Sequence, residues 1–384
     1  MGWQCGTQIL SPAGVGSVKG ENMKIRENIL RFAAGLTAVL FLAVSVPQSA
    51  LAKPAEEEEG ETYTIAFAGD ILFDPSYAAG YALTRNGVQG SFDAAALEVM
   101  QGADTFILNN EFTYTVRGSR SGKKFTFRTN PAYAAMLPEM GADLVTLGNN
   151  HTWDFGETGF LDTLAALDAV KIPYIGAGRT LAEAVRPYVI EAGSMRIAIL
   201  NATEIERGYP VTRGAGEMSP GVFRCTDPAL LYEAIRVADA AYDFVIVIPH
   251  WGTEGKSIPD SRETMLAAGM KEAGADLIVG GHPHVLQGIA FLGDTPAAYS
   301  MGNFLFHSGY QHTGILVAEF QPKEKKLASL RFVPMLSANC HIVTLAGGQK
   351  AQALEMMRRL SPQTVIDEEG YILNPAVPAE TEAE

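Results

Sequence analysis

Residues 244–250 read FVIVIPH. The apolar run suits a buried strand and is short for a helix, and a histidine closes it. Amphipathic segments flank it at 227–240 and 261–274. The pattern recurs along the chain. Apolar runs stand at 63–69 (YTIAFAG), 105–110 (TFILNN), 144–149 (LVTLGN), 196–203 (RIAILNAT) and 277–281 (LIVGG), with further helical segments at 92–101, 131–140 and 158–169. Helices between β-rich runs predict an α/β layered domain. Three later runs, AAYSMGNF (297–304), GILVAEF (314–320) and LASLRFVPM (327–335), follow without helices between them, and are expected to add antiparallel pairing as a second sheet.

The residues closing the runs share a chemistry. They are Asp70, Glu111, the trio Asn149, Asn150 and His151, then His250, and the pair His282 and His284. Taken singly, each has an ordinary explanation: an Asp after Gly caps helices or makes an Asx-turn, and a histidine before Trp251 can be packed in a core. Taken together, they would meet, because parallel strands present their carboxyl ends at one sheet edge, where ligands bind. His282 and His284 are expected on one side of an extended segment. Carboxylates, an Asn amide oxygen and imidazoles suit zinc, manganese or iron better than calcium, which takes oxygen ligands.

In order along the chain, FAGDILF, NNEFT, GNNHTWDFG, PHWGTE, GGHPHVLQG and YSMGNFLF resemble the CapA family of poly-γ-glutamate capsule biosynthesis proteins, over residues 63–310. The resemblance implies the layered α/β/β/α sandwich with mixed sheets of the calcineurin-like metallophosphoesterases. It implies one or two divalent ions (Mn, Zn or Fe) held by Asp70, Glu111, Asn150, His250, His282 and His284, with Glu111 where the superfamily has a bridging Asp. His151 would contact the attacked or leaving oxygen. Asp154 would orient His151, Glu254 and Asn303 would stand behind the ligands, and Trp251 would wall the pocket. One departure matters: the superfamily opens on Asp-x-His, and here the third position is Leu72, which puts a complete two-metal centre in question.

Two functions follow. One is a metal-dependent hydrolase of a phosphoester, a glutamate polymer or an envelope glycan. The other is a non-catalytic polymer-binding component of a capsule synthesis or export complex. The basic strip RGSRSGKK (117–124) is the candidate for holding an anionic chain, through Lys123 and Lys124. The Gly/Pro-rich stretch 205–221 has the length of a functional loop and could cover the site as a lid.

The ends of the chain read differently. Residues 1–52 resemble export machinery: Lys24, Arg26 and Arg31 precede the apolar block 32–46, and Ala50 and Ala52 have signal-peptidase spacing. Met23 opens a more usual start, so 1–22 read as an upstream extension. The uncharged residues 32–52 would also serve as an uncleaved anchor. Both readings place the body outside the cytoplasm, secreted or held on the outer membrane face. Residues 53–61 form an acidic linker, 62–345 the metallophosphoesterase-like domain, and 346–384 a C-terminal helix and tail. Removing the first 52 residues takes away four basic and two acidic side chains, so the net charge moves from −14 to −16. That balance excludes nucleic acid as a main partner. Cys225 and Cys340 are expected as isolated buried thiols.

Overall fold

Alternate residues of each apolar run serve different layers. The computed structural model describes residues 62–208 and 211–376; the stretches read above as an export signal and an acidic linker, and the last eight residues, lie outside them. In the strand Tyr63–Ile71, Ile65 and Phe67 point to one face and Ala66 and Ala68 to the other. Ile107 opposes Phe106 and Leu108 in the same way, Ile197 and Ile199 oppose Ala198 and Leu200, and Ile246 opposes Val245 and Val247. Strands buried on both faces are continuous apolar runs, as parallel strands under helices must be.

Two mixed sheets result. The first runs His341–Thr344, Lys326–Ala338, Gln311–Gln321, Tyr63–Ile71, Thr105–Asn110, Leu144–Thr146, Tyr174–Ile175, with Asn303–Leu305 also paired to Tyr63–Ile71. The second runs Ile289–Leu292, Thr295–Ala298, Leu277–Val279, Phe244–His250, Met195–Thr203, Tyr188–Ala192. The inner faces pack together through Ile65, Phe67 and Ile107 against Ile197, Ile199 and Ile246. Outside the first sheet lie the helices Ala94–Gly102 and Gly156–Val170, burying Leu97, Met100, Phe160 and Leu164. Outside the second lie Ala229–Asp239 and Ser261–Glu272, burying Leu231, Ile235, Leu266 and Met270. The layers are therefore α/β/β/α. Each fully buried Leu, Ile or Phe contributes about 1.5–3 kcal/mol of transfer free energy.

The later runs are placed differently from expectation. Gln311–Gln321 and Lys326–Ala338 extend the first sheet antiparallel, next to Tyr63–Ile71, and the second sheet is built from residues 188–298. AAYSMGNF is split, its start pairing in the second sheet and Asn303 in the first. The helix Gly347–Leu360 places Leu354 and Met357 in the inter-sheet core. Both described cysteines are free and buried.

Candidate metal centre

The parallel strands of both sheets end at one edge, and the polar residues closing them come together there. Asp70 sits at a register shift in both parallel pairings of its strand, the kind of bulge that re-aims a side chain. Glu111 follows the neighbouring strand directly. Asn109, one side chain earlier on the same face, ties the group together: its Nδ2 donates to Asp70 Oδ1 at 2.7 Å and lies 3.3 Å from Glu111 Oε2, while its Oδ1 accepts from Thr146 and Asn149. Asn149 folds the next turn, accepting from the amides of His151 and Thr152. That turn carries Asn150 toward the second sheet, where Asn150 Oδ1 lies 2.8 Å from His250 Nε2.

From the second sheet, His250 Nε2 lies 3.5 Å from Glu111 Oε1, and His282 Nδ1 lies 3.2 Å from His250 Nε2. His284 Nδ1 lies 3.1 Å from Asp70 Oδ2, and its Nε2 lies 3.8 Å from Glu111 Oε1. His282 and His284 have φ of 99° and 58°, so the segment is not extended as the sequence suggested. The two imidazoles reach different places through left-handed backbone, which costs of order 1–3 kcal/mol per residue. Two donor sets result: Glu111, His250 and His282, and Asp70, Glu111 and His284, each within 4.8 Å. Glu111 belongs to both.

These residues fit divalent ions. Asp70 and Glu111 are fully buried; Glu111 Oε1 accepts no hydrogen bond, and Asp70 Oδ2 has only the His284 imidazole 3.1 Å away. A buried carboxylate oxygen without a partner is costly. Tetrahedral ligands at 2.0–2.1 Å from an ion stand about 3.4 Å apart, and the spacings of 2.8, 3.2 and 3.5 Å around His250 bracket that value. Leu72, buried among apolar residues, adds no ligand, yet two donor sets remain.

The titration of the groups reflects the same crowding. Burial pushes Glu111 well above the usual carboxylate range, with the charge of Asp70 adding to it. Burial opposes the ionisation of Asp70 too, but His284 outweighs it and leaves Asp70 below its ordinary value. Burial depresses His284, yet Glu111 and Asp70 together raise it to about 10. Burial takes His250 down to about 3 and His282 well below its ordinary value. Two neutral imidazoles thus bring ring nitrogens within 3.2 Å of each other, where one N–H can donate to the other ring; a cation between them would take both as lone pairs instead.

Beside the ligands stands a second group. His151 Nδ1 lies 2.7 Å from Asp154 Oδ2, and its Nε2 lies 4.0 Å from Glu111 Oε1. A carboxylate only accepts, so Nδ1 carries the proton and Nε2 faces the centre. Burial lowers the His151 pKa, partly offset by Asp154. Asp154 also accepts from the Phe127 amide at 2.8 Å and from Lys123 Nζ at 2.9 Å.

Lys123 differs from its expected role: it is largely enclosed, paired with Asp154 and Glu206 and donating to the Asn150 carbonyl, so it is not free to bind a polymer. Lys124 is exposed, 5.0 Å over the Phe125 ring. Glu254 points to solvent, whereas Glu204 and Glu263 are the buried carboxylates near that loop. Trp251 packs with Tyr299 outside the second sheet and walls no pocket at the centre. Asn303 does approach, its Oδ1 2.9 Å from His284 Nδ1. The loop after Thr203 lies on the site: Thr212 Oγ1 donates to the Asn150 carbonyl at 2.6 Å, and Glu206 accepts from the amides of Val211 and Thr212. Sequence reading missed Asn109 and Asn201, the latter bonding Gly148 N at 2.7 Å and the Ile248 carbonyl at 2.7 Å across the sheets. Strand parity with Glu111 would have found Asn109; nothing local marks Asn201.

Residues 64–308 match the family model described as bacterial capsule synthesis protein PGA_cap. The PGA biosynthesis protein CapA of Bacillus subtilis is 34% identical over 206 residues, 53% of either chain, so the match spans about half of that relative's length. The capsule biosynthesis protein CapA of Bacillus anthracis is 25% identical over 319 residues, covering 78% of this chain and 74% of that one. Among solved structures, a novel phosphatase from Mycoplasma pneumoniae is 18% identical with a TM-score of 0.48, covering 73% of this chain and 95% of that one.

Proposed function

As the chain belongs to the family of bacterial capsule synthesis proteins, we propose that it is an exported, metal-dependent hydrolase. It acts on a phosphoester, or on an amide-linked anionic polymer, of the cell surface. The observation that carries this reading is Glu111, one carboxylate common to both donor sets, with a buried oxygen that nothing in the protein satisfies. Glu111, Asn150, His250 and His282 would hold one divalent cation, and Asp70, Glu111 and His284 another. When bound, paired cations stabilise the attacking and leaving oxygens of a displacement.

The remaining chemistry falls to the protein. His151, held in one tautomer by Asp154, keeps Nε2 toward the centre, where it takes a proton from or returns one to a reacting oxygen. Lys123 holds Asp154 from behind and pins the turn that carries Asn150. Thr212 ties its own segment onto the same turn through the Asn150 carbonyl. Arg117, at the start of the basic strip, is exposed but paired with Asp162, which leaves Arg120, Lys124 and the flanking Arg128 as exposed cations available to an anionic substrate.

Export rests on the sequence of residues 1–52; no helix among the described residues is long and apolar enough to cross a membrane. The names of the Bacillus relatives support a place in making a surface polymer. The test is metal analysis of the purified body, with a panel of phosphodiester and γ-glutamyl substrates, beside His151→Ala and His282→Ala. The expected result is turnover lost in both variants, with metal lost only in the second. Bound metal without turnover of any substrate would overturn the hydrolase and leave a polymer-binding assembly component.

A further inference from the structure

We propose that Asn303 is a direct ligand of the Asp70–Glu111–His284 position, its side-chain oxygen taking the coordination place that Leu72 leaves without an imidazole. The inference rests on the two-cation reading of the centre and adds a residue to it.

Backbone pairing brings Asn303 to the place. It is the register partner of Asp70 in a parallel pairing, and the Asp70 amide donates to the Gly302 carbonyl at 2.9 Å. The approach demands glycine on both sides. A Cβ at Gly69 would stand 1.9 Å from the Gly302 oxygen, and Gly302 itself has φ of 61°. The glycine before Asn303 therefore exists to bring this residue against Asp70, and Asn303 is buried there at 5% exposure.

Hydrogen bonding then fixes which end of the amide faces the centre. Gln311 Nε2 donates to the His284 carbonyl, and a carbonyl only accepts, so the Gln311 orientation is settled. Its Oε1 is thereby turned to Asn303 Nδ2, 3.1 Å away. Asn303 must present Oδ1 on the other side, 2.9 Å from His284 Nδ1, which is itself 3.1 Å from Asp70 Oδ2. His284 Nδ1 thus stands at ligand-edge spacing from both a carboxylate and an amide oxygen, as His250 Nε2 does from Glu111 and Asn150 at the other position. Each half of the centre then has an Asn oxygen beside its imidazole.

The experiment is Mn²⁺ titration calorimetry with Co²⁺ absorption spectra on the full body, for wild type, Asn303→Ala and Asn303→Asp. Thermal unfolding of each variant checks that it is folded. The expected result is two ions for wild type, one for Asn303→Ala with loss of one Co²⁺ component, and two again for Asn303→Asp. Two ions in Asn303→Ala with an unchanged Co²⁺ spectrum, even at weaker affinity, would overturn the inference alone, because Asn303 would then only orient His284. Fewer than two ions in wild type would overturn the two-cation reading, and this inference with it.

Discussion

The carboxyl edge of the first sheet supplies oxygen, and that of the second supplies nitrogen. Asp70, Asn109, Glu111 and Asn150 come from the one; His250, His282 and His284 come from the other. Burial pushes both sets toward neutrality, with Glu111 raised and His250 and His282 lowered. A cation between them would reverse that pressure on the carboxylates and add to it on the imidazoles, which bind metal as neutral rings. Neither sheet holds a complete donor set, so the centre is a product of sheet packing: the distance from Glu111 to His250 is set by Ile107 and Phe67 against Ile199 and Ile246 beneath.

The largest test of that division is Glu111→Gln, which removes the shared oxygen while keeping shape. Both ions should be lost and turnover should fall to background. In chelator the variant should melt no lower than wild type, because a buried carboxyl with an unsatisfied oxygen has been removed. Retention of either ion at wild-type affinity, read by metal analysis, would mean the imidazole edge suffices and the comparison fails.

Next comes His151→Ala, which touches neither ligand set. Loss of a positioned proton-transfer group costs about 10²–10⁴-fold in kcat, with two ions still bound. If ion content falls along with kcat, His151 belongs to the oxygen edge as a ligand. Lys123→Met should act through Asp154, lowering kcat about 10–100-fold as loss of a group behind a site residue does. It should also speed hydrogen exchange at the Val211 and Thr212 amides, since Glu206, which accepts from both, loses Lys123 and keeps only the longer pairing with Arg224. Unchanged exchange there would leave Lys123 with the His151 pair only.

The sequence showed the oxygen edge more clearly than the nitrogen edge. Apolar runs with a polar last residue gave the α/β class and the parallel strands, and Asp70, Glu111, Asn150 and His250 lie at their ends as read. The His282 and His284 pair was legible as part of the cluster but not in geometry, because positive φ at both residues is set by the surrounding turn. Antiparallel extension of the first sheet was not legible: Gln311–Gln321 finds Tyr63–Ile71 across about 240 residues, a pairing with no local signal. Lys123 read as free to hold an anionic chain within RGSRSGKK, and only the fold shows Asp154 and Glu206 around it.

The smallest effect concerns what stands behind the nitrogen edge. Glu263 is fully buried in the helix start below the loop that follows His250; one oxygen accepts from the Asp260 amide at 2.7 Å and the other from nothing. Burial, with a smaller push from Asp260, raises its pKa to about 7 from an ordinary 4.5. Between those values the folded chain keeps a proton that the unfolded chain releases. The stabilising contribution is whole below pH 4.5 and is lost as pH rises through 7. Glu263→Gln keeps the oxygen that completes the capping box. It should therefore unfold like wild type near pH 5 and be more stable near pH 8, by on the order of 1 kcal/mol. Equal pH slopes in the two proteins would mean that this carboxyl ionises freely, and that burial does not press on the nitrogen edge's support as it does on Glu111.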